Sequence, residues 1–270
     1  MADLHPLLRI GTSSWSNAEW PLYPKGMKPG GFLSCYAGRF RTVEVDSSFY
    51  RAPAPGLCER WYGAVPEGFT FALKVPQSIT HEKALESADG EWEGFLASAG
   101  RLKEKLGYLV LQFPYFNKSS ACPTLGEFLR RLSAFLEAAR APCPLVVEVR
   151  NKSWVGKDLL VSLKERNAIF AVTDQEWMPR PGELWEKYGP ELLTGPAAYL
   201  RMLGERKRIE AITTSWEKLV IDRTQETRDA IAVIRSILAT TRPVVVMVNN
   251  HYAGYAVASI ELFESLWIEA

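Results

Sequence analysis

Eight short runs of β-branched and aliphatic residues recur along the chain, and nearly every run ends in a charged or amide residue. Continuous apolar runs of this length are typical of strands that are buried on both faces. The runs cover residues 7–14, 41–46, 69–75, 108–113, 145–150, 168–174, 197–203 and 244–250. Eight such strands, with helical patterns between them, predict an α/β fold: a (β/α)8 barrel of the TIM type.

The segments between the runs carry helix signals. Residues 89–107 and 123–136 repeat apolar side chains at the i, i+3, i+4 spacing of an amphipathic helix. Residues 173–196 are interrupted by prolines and glycines, which predicts a long ordered loop with about one helical turn. An open doubly wound sheet shares this alternation, but the count of eight and the lack of GxGxxG after the first run favour closure. One domain spanning 1–270 is expected, because barrels typically need about 250 residues.

The charge composition excludes a chain-wide signature of nucleic-acid binding. Lys and Arg number 32 against 31 Asp and Glu, so the net charge is +1. The four cysteines form no CxxC pair and are expected to be reduced. The first ten residues contain an acid and a proline, unlike a signal peptide, and no apolar run approaches the roughly 20 residues of a membrane span. A cytoplasmic protein with no membrane partner is expected.

The polar strand ends predict a site at the mouth of the barrel. Active sites of TIM barrels lie at the carboxyl ends of the strands, and alternate strand residues share a face. Glu44 and Asp46 share a face opposite Val43 and Val45, so the polar set is expected to point inward. The predicted mouth comprises Glu44, Asp46, Lys74, Gln112, Glu148, Arg150, Asp174, Arg201, Asn249 and Asn250.

These charges suggest two kinds of site. Buried ions cost several kcal/mol each unless they are paired, so Glu44, Lys74, Glu148 and Arg201 either neutralise one another as a plug or bind a ligand. A ligand site is favoured, because Val or Ile fills most barrels.

Four residues are candidates for catalysis. Glu44 and Glu148 are the first choice as an acid–base pair, since a nearby cation lowers one carboxyl pKa while burial raises the other. Lys74 is the alternative, as a Schiff-base nucleophile. Asp174 is a further catalytic carboxylate.

Two loops suggest an anionic ligand. Arg206 follows the seventh run and His251 the eighth, where barrels often bind phosphate. The aromatic residues Trp15, Phe49, Tyr50 and Trp177 follow the first, second and sixth runs and offer flat faces to sugars or bases. The residues predicted to bind substrate are Trp15, Asp46, Tyr50, His81, Gln112, Arg150, Arg201, Arg206, Asn249, Asn250 and His251.

Metal-ligating residues are scarce. The chain has three histidines, too few for a multinuclear zinc site, and no residue is assigned to a metal. No cofactor is predicted, although a carboxylate-bound Mg²⁺ at Glu44, Asp46 or Asp174 stays open.

The strand ends also resemble the YecE-like family, which is called domain of unknown function seventy-two. The matching stretches include GTSSW at 11–15, TVEVDSSFYR at 42–51, FALKVPQSITH at 71–81, VEVRNKSW at 147–154, YLRMLGERKRIE at 199–210 and NNHYAGYA at 249–256. The resemblance implies a barrel and a polar signature at Glu44, Lys74, His81, Gln112, Glu148, Arg150, Asp174, Arg201 and Asn249. Asn151 and Leu203 replace histidines that are frequent in the family, so no mechanism through an imidazole is expected there.

The leading hypothesis is a metal-independent acid–base enzyme that acts on a small polar anionic substrate, a sugar or nucleoside phosphate. The arginine-rich seventh loop leaves a nucleic-acid-binding or phosphodiester-processing barrel as an alternative. A non-catalytic barrel that binds a ligand or a partner is the third. The sequence does not specify whether the reaction is a hydrolysis, an elimination or an isomerisation, nor the oligomeric state.

Overall fold

Eight parallel strands close into a barrel in chain order in the computed structural model, which describes residues 4–269. Each strand pairs with the next, and the last pairs with the first. The strands are β1 Leu8–Thr12, β2 Thr42–Val45, β3 Thr70–Lys74, β4 Leu106–Gln112, β5 Leu145–Glu148, β6 Ile169–Gln175, β7 Ala198–Gly204 and β8 Val244–Val248. The predicted barrel is therefore confirmed. Residues 1–3 and 270 of the predicted single domain lie outside the described residues.

Helices separate the strands and pack around the barrel. They are α1 Phe32–Arg39, α2 Pro55–Ala64, α3 Asp89–Ala99, α4 Leu125–Ala138, α5 Lys157–Glu165, α6 Pro181–Tyr188, α7 Arg206–Ile212, α8 Thr224–Leu238 and α9 Ala256–Glu269. Within residues 4–269, none of them combines the length and the apolar character that a membrane crossing needs.

Two connections differ from the sequence prediction. The segment after β6 forms the eight-residue helix α6 rather than one turn, and Pro181 and Glu183 supply the first-turn features that start it. The helix predicted from Asp89 ends at Ala99, and a 3₁₀ turn continues to Lys105. Gly107, the expected stop, lies within β4.

Strand alternation decides which side chains reach the mouth. An inner layer of apolar side chains fills the barrel and includes Ala72, Val110, Val146, Ala171, Tyr199 and Met247. Lys74, Gln112, Glu148 and Arg201 each lie two residues after a member of this layer, so they share its inward face one step nearer the carboxyl ends. Their predicted inward orientation is confirmed.

Asp174 is the exception, and the prediction that it faces the mouth is wrong. Val172 belongs to the outer core, and Asp174 shares its face, whereas Thr173 and Gln175 continue the inward face of Ala171. The carboxylate of Asp174 accepts a hydrogen bond from Arg180 beside α6. Because β6 is buried on both faces, its apolar pattern does not indicate which residues point inward.

Candidate functional site at the barrel mouth

Arg201 lies in the barrel between two glutamates. Its Nη2 is 2.5 Å from Glu44 Oε1, its Nε donates to Glu44 Oε2 at 3.0 Å, and its Nη1 donates to Glu148 Oε2. Tyr199 donates its hydroxyl to Glu44 at 2.9 Å. The side chain of Arg201 is 2% exposed and both glutamates are fully buried. These three side chains form the paired plug that the sequence left open.

The pKa values of the two glutamates are shifted in opposite directions. Burial raises the pKa of Glu44, and the attraction of Arg201 does not compensate. Burial also opposes the charge of Glu148, but Arg150 and Arg201 outweigh it and lower the pKa of this carboxyl to about 2. The predicted separation of the two pKa values is present, but both carboxylates contact Arg201 and are shut off from solvent.

A cavity of about 510 Å³ lies in the mouth, a size in the range of small-molecule sites. Its wall, within the described residues, presents four cationic side chains and one carboxylate, Asp46. The cations are Lys74, Arg150, Arg201 and Arg206. Glu44 and Glu148 are buried behind this wall and pair with Arg201 and Arg150, so the groups that line the cavity itself are mostly cationic.

Lys74 and Asp46 form the titratable pair on the cavity wall. Lys74 Nζ lies 3.4 Å from Asp46 Oδ1 and 4.6 Å from the ring centre of Phe49. Asp46 Oδ1 is buried and accepts no hydrogen bond from any residue between 4 and 269, although Lys74 balances its charge. Arg150 Nε is buried and donates no hydrogen bond within the same residues, which is rare for a buried donor.

The amide side chains on the wall are held in defined orientations. Gln175 Oε1 accepts from Arg150 Nη1, and Asn249 Oδ1 accepts from the backbone N–H of His251 at 3.0 Å. Both residues therefore have NH₂ donors left to offer a ligand. Gln112 is turned the other way, because its Nε2 donates to the Phe113 carbonyl at 2.9 Å, and it offers an oxygen.

The two predicted histidines occupy different places. His81 lies on a π-helical turn after β3 and packs edge-on against Phe49, 4.8 Å between ring centres. Burial, with Lys74 and Arg150 nearby, lowers the pKa of His81 to about 4. His251 lines the cavity, with Nδ1 2.8 Å from Asn249 Oδ1 and Nε2 3.1 Å from Glu210 Oε1. Burial lowers the pKa of His251, although Glu210 opposes the shift.

The arginine-rich stretch after β7 forms α7 and is partly neutralised. Arg206 Nε lies 2.8 Å from Glu210 Oε1, and Arg208 Nη1 lies 3.5 Å from Glu205 Oε1. Arg206 also lines the cavity, as predicted, and its side chain is 75% exposed.

Two residues predicted to bind substrate, Trp15 and Asn250, do not line the cavity. Trp15 packs edge-on against Trp61 of α2, at 5.4 Å, and beside Phe71 in the outer core. Asn250 accepts a hydrogen bond from the backbone N–H of Ala256 at 3.0 Å and so caps the start of α9.

Sequence reasoning missed Gln175 and Gly204, which both line the cavity. Gln175 was missed because the buried pattern of β6 does not indicate which of its residues point inward. Gly204 has φ +69°, and a Cβ there would lie 2.3 Å from the His251 carbonyl oxygen. A glycine directly after the apolar run 197–203 was the available signal in the sequence.

The carboxylates that the sequence offered to a metal ion have other partners. Among residues 4–269, no group of three or more His, Cys, Asp and Glu side chains is arranged to hold an ion. Of the carboxylates considered for Mg²⁺, Glu44 pairs with Arg201, Asp174 pairs with Arg180, and Asp46 faces Lys74.

Comparison with known proteins gives a family and a fold. The family model described as "Protein of unknown function DUF72" matches residues 9–269. The chain is 30% identical to the UPF0759 protein YecE of Escherichia coli K12 over 126 residues, which are 47% of this chain and 44% of YecE. It is 27% identical to the UPF0759 protein YunF of Bacillus subtilis over 188 residues, 66% of this chain and 63% of YunF. The matches thus span less than two thirds of either relative.

A solved structure matches over nearly the whole length. The crystal structure of a DUF72 family protein from Thermotoga maritima has a TM-score of 0.73 and 23% sequence identity. The match covers 97% of this chain and 99% of that one. This similarity supports the same barrel fold.

Proposed function

The chain belongs to the DUF72 family of proteins of unknown function, the family that its strand-end motifs predict, and we propose that its barrel mouth is an active site. The proposed activity is that of a metal-independent acid–base enzyme. Its substrate is a small polar anion, a sugar or nucleoside phosphate.

The charge arrangement of the cavity wall carries this proposal. Lys74, Arg150, Arg201 and Arg206 face the cavity, while Glu44 and Glu148 lie buried against Arg201. Arginine binds phosphate and carboxylate groups through paired hydrogen bonds, and a cleft lined by one sign of charge concentrates ions of the opposite sign. An anion is the ligand that this wall favours.

The amides and the Asp46 carboxylate support a polyhydroxylated anion. The NH₂ groups of Asn249 and Gln175 suit the oxygens of a phosphate. Gln112 Oε1 and the partly exposed carboxylate of Asp46 are acceptors, which suit the hydroxyl groups of a sugar.

Proton transfer is assigned to Lys74 and Asp46, which face the cavity at 3.4 Å from each other. Lys74 is the proton donor and Asp46 the acceptor. Glu44 and Glu148 become positioning residues in this proposal, because their carboxylates hold the Arg201 guanidinium.

Calorimetric titration with ribose 5-phosphate tests the anion site. The Arg206→Ala variant removes an exposed phosphate contact and is expected to bind about 3- to 10-fold more weakly than wild type. Lys207→Ala is the matched control, because Lys207 is an exposed neighbour on α7 that does not line the cavity. Absence of binding to wild type, or equal weakening in both variants, contradicts the site.

A second experiment tests catalysis. Wild type and Lys74→Met are incubated with a set of sugar and nucleoside phosphates, and consumption is followed by mass spectrometry. The proposal expects wild type to convert at least one compound and the variant to do so about 100-fold more slowly. Binding without conversion favours the non-catalytic barrel, which the mutual pairing of Glu44, Glu148 and Arg201 also suits.

A further inference from the structure

We propose that the ligand is a nucleoside phosphate whose base stacks on Trp177 and Tyr50 at the rim of the mouth. This inference depends on the anion site proposed above and selects one of its two substrate classes.

Trp177 and Tyr50 lie on opposite sides of the cavity. Tyr50 follows β2, and Trp177 follows β6. These strands are four positions apart in a ring of eight, so their ends are diametrically opposed. Both side chains line the same cavity, so a group bound at its rim has one aromatic side chain available on the β2 side and one on the β6 side.

Both rings are unusually open to solvent for their size. Tyr50 is 74% exposed and Trp177 is 50% exposed. The ring of Tyr50 is held at its edge by Phe49, with 5.4 Å between the ring centres and 78° between the planes. Phe49 packs in turn against His81 and below the Lys74 ammonium group. Tyr50 is therefore supported from behind while most of its surface stays open.

The polar groups divide the wall into zones that match the rest of a nucleotide. Arg206 and Asn249 follow β7 and β8 and suit the phosphate. Asp46 and Gln112 belong to the opposite half of the ring and offer acceptors to ribose hydroxyls. A sugar phosphate can bind to both of these zones but leaves the side chains of Tyr50 and Trp177 exposed. The base of a nucleotide can pack against them.

The test compares the affinities of adenosine 5′-monophosphate and ribose 5-phosphate by calorimetric titration. Stacking of a base on aromatic side chains is worth roughly 5- to 150-fold in affinity, so the nucleotide is expected to bind tighter by a factor in this range. Trp177→Ala and Tyr50→Ala are expected to lose most of that preference while keeping the affinity for ribose 5-phosphate. Trp177→Phe is expected to keep most of it.

Tyr115→Ala is the matched control. Tyr115 follows β4 and is 63% exposed, but it does not line the cavity. Its removal is expected to leave the nucleotide preference unchanged.

The outcomes separate the two proposals. Equal affinity of wild type for the two compounds overturns the inference and leaves the anion site intact. A preference that survives removal of both Trp177 and Tyr50 also overturns it. If neither compound binds, the anion site fails and the inference fails with it.

Discussion

The guanidinium of Arg201 meets the carboxylate of Glu44 side-on, with Nη2 2.5 Å from Oε1 and Nε 3.0 Å from Oε2. Neither side chain is more than 2% exposed, and Glu148 takes the remaining Nη1. Arg201 thus pairs with two buried acids in the centre of the barrel, and Arg150 supplies a second cation to Glu148.

Arg201→Met is expected to lower the free energy of unfolding by about 3–5 kcal/mol, because it leaves two buried carboxylates without their shared partner. Denaturation by urea measures the change. Arg228→Met removes an exposed ion pair with Glu269 and is expected to cost less than about 1 kcal/mol. An Arg201→Met variant as stable as Arg228→Met is incompatible with this role.

Asn249→Asp is expected to weaken the binding of ribose 5-phosphate at least about tenfold. The substitution keeps the oxygen that accepts from His251 but replaces the NH₂ donors with negative charge. Asn250→Asp adds the same charge one residue away, at the start of α9 and off the cavity wall, and is expected to change affinity less than about twofold. Calorimetric titration measures the affinity of both variants for ribose 5-phosphate. Equal losses of affinity contradict the assignment of Asn249 as a donor to the ligand.

The alternation of polar and apolar residues along the strands accounts for most of what the sequence could predict. Burial of Val43 and Val45 against the helices directs Glu44 into the barrel. The same alternation predicted the inward orientation of Glu148 and Arg201 correctly. It failed at Asp174, because Val172 and Thr173 are both buried and the pattern does not distinguish the faces.

Loop residues were harder to predict than strand residues. Trp15 and Trp177 are both tryptophans in loops at strand ends, yet one packs on Trp61 and the other lines the cavity. The difference depends on contacts between segments far apart in sequence. The pairing of Lys74 with Asp46 likewise follows from the closure of the barrel, which brings β2 and β3 side by side.

Stability is expected to fall as the pH is lowered from about 6.5 to 4. The pKa of His81 is about 4 in the folded protein, chiefly because of burial, whereas an unfolded histidine has a pKa of about 6.5. The unfolded chain therefore binds more protons in this window, and acid favours unfolding. His81→Gln is expected to flatten the slope of unfolding free energy against pH, while His5→Gln, at an exposed position, keeps it. Identical slopes in all three proteins speak against a buried neutral His81.

Gly204→Ala is expected to lower the free energy of unfolding by about 2 kcal/mol or more. Gly204 has φ +69°, and the added Cβ would lie 2.3 Å from the His251 carbonyl oxygen. Gly94→Ala, in the interior of α3 with no atom within 4 Å of the new Cβ, is expected to stabilise by about 0.5–1 kcal/mol. Thermal unfolding of both variants shows whether the signs differ. Equal behaviour of the two variants contradicts the close packing of β7 on the turn that carries His251.

The most direct test of the anion site is a crystal structure of the protein soaked with ribose 5-phosphate. We expect electron density in the mouth, with the phosphate oxygens within hydrogen-bonding distance of Arg206 or Asn249. An empty mouth in crystals that carry the ligand elsewhere, such as between α6 and α8, would contradict the account.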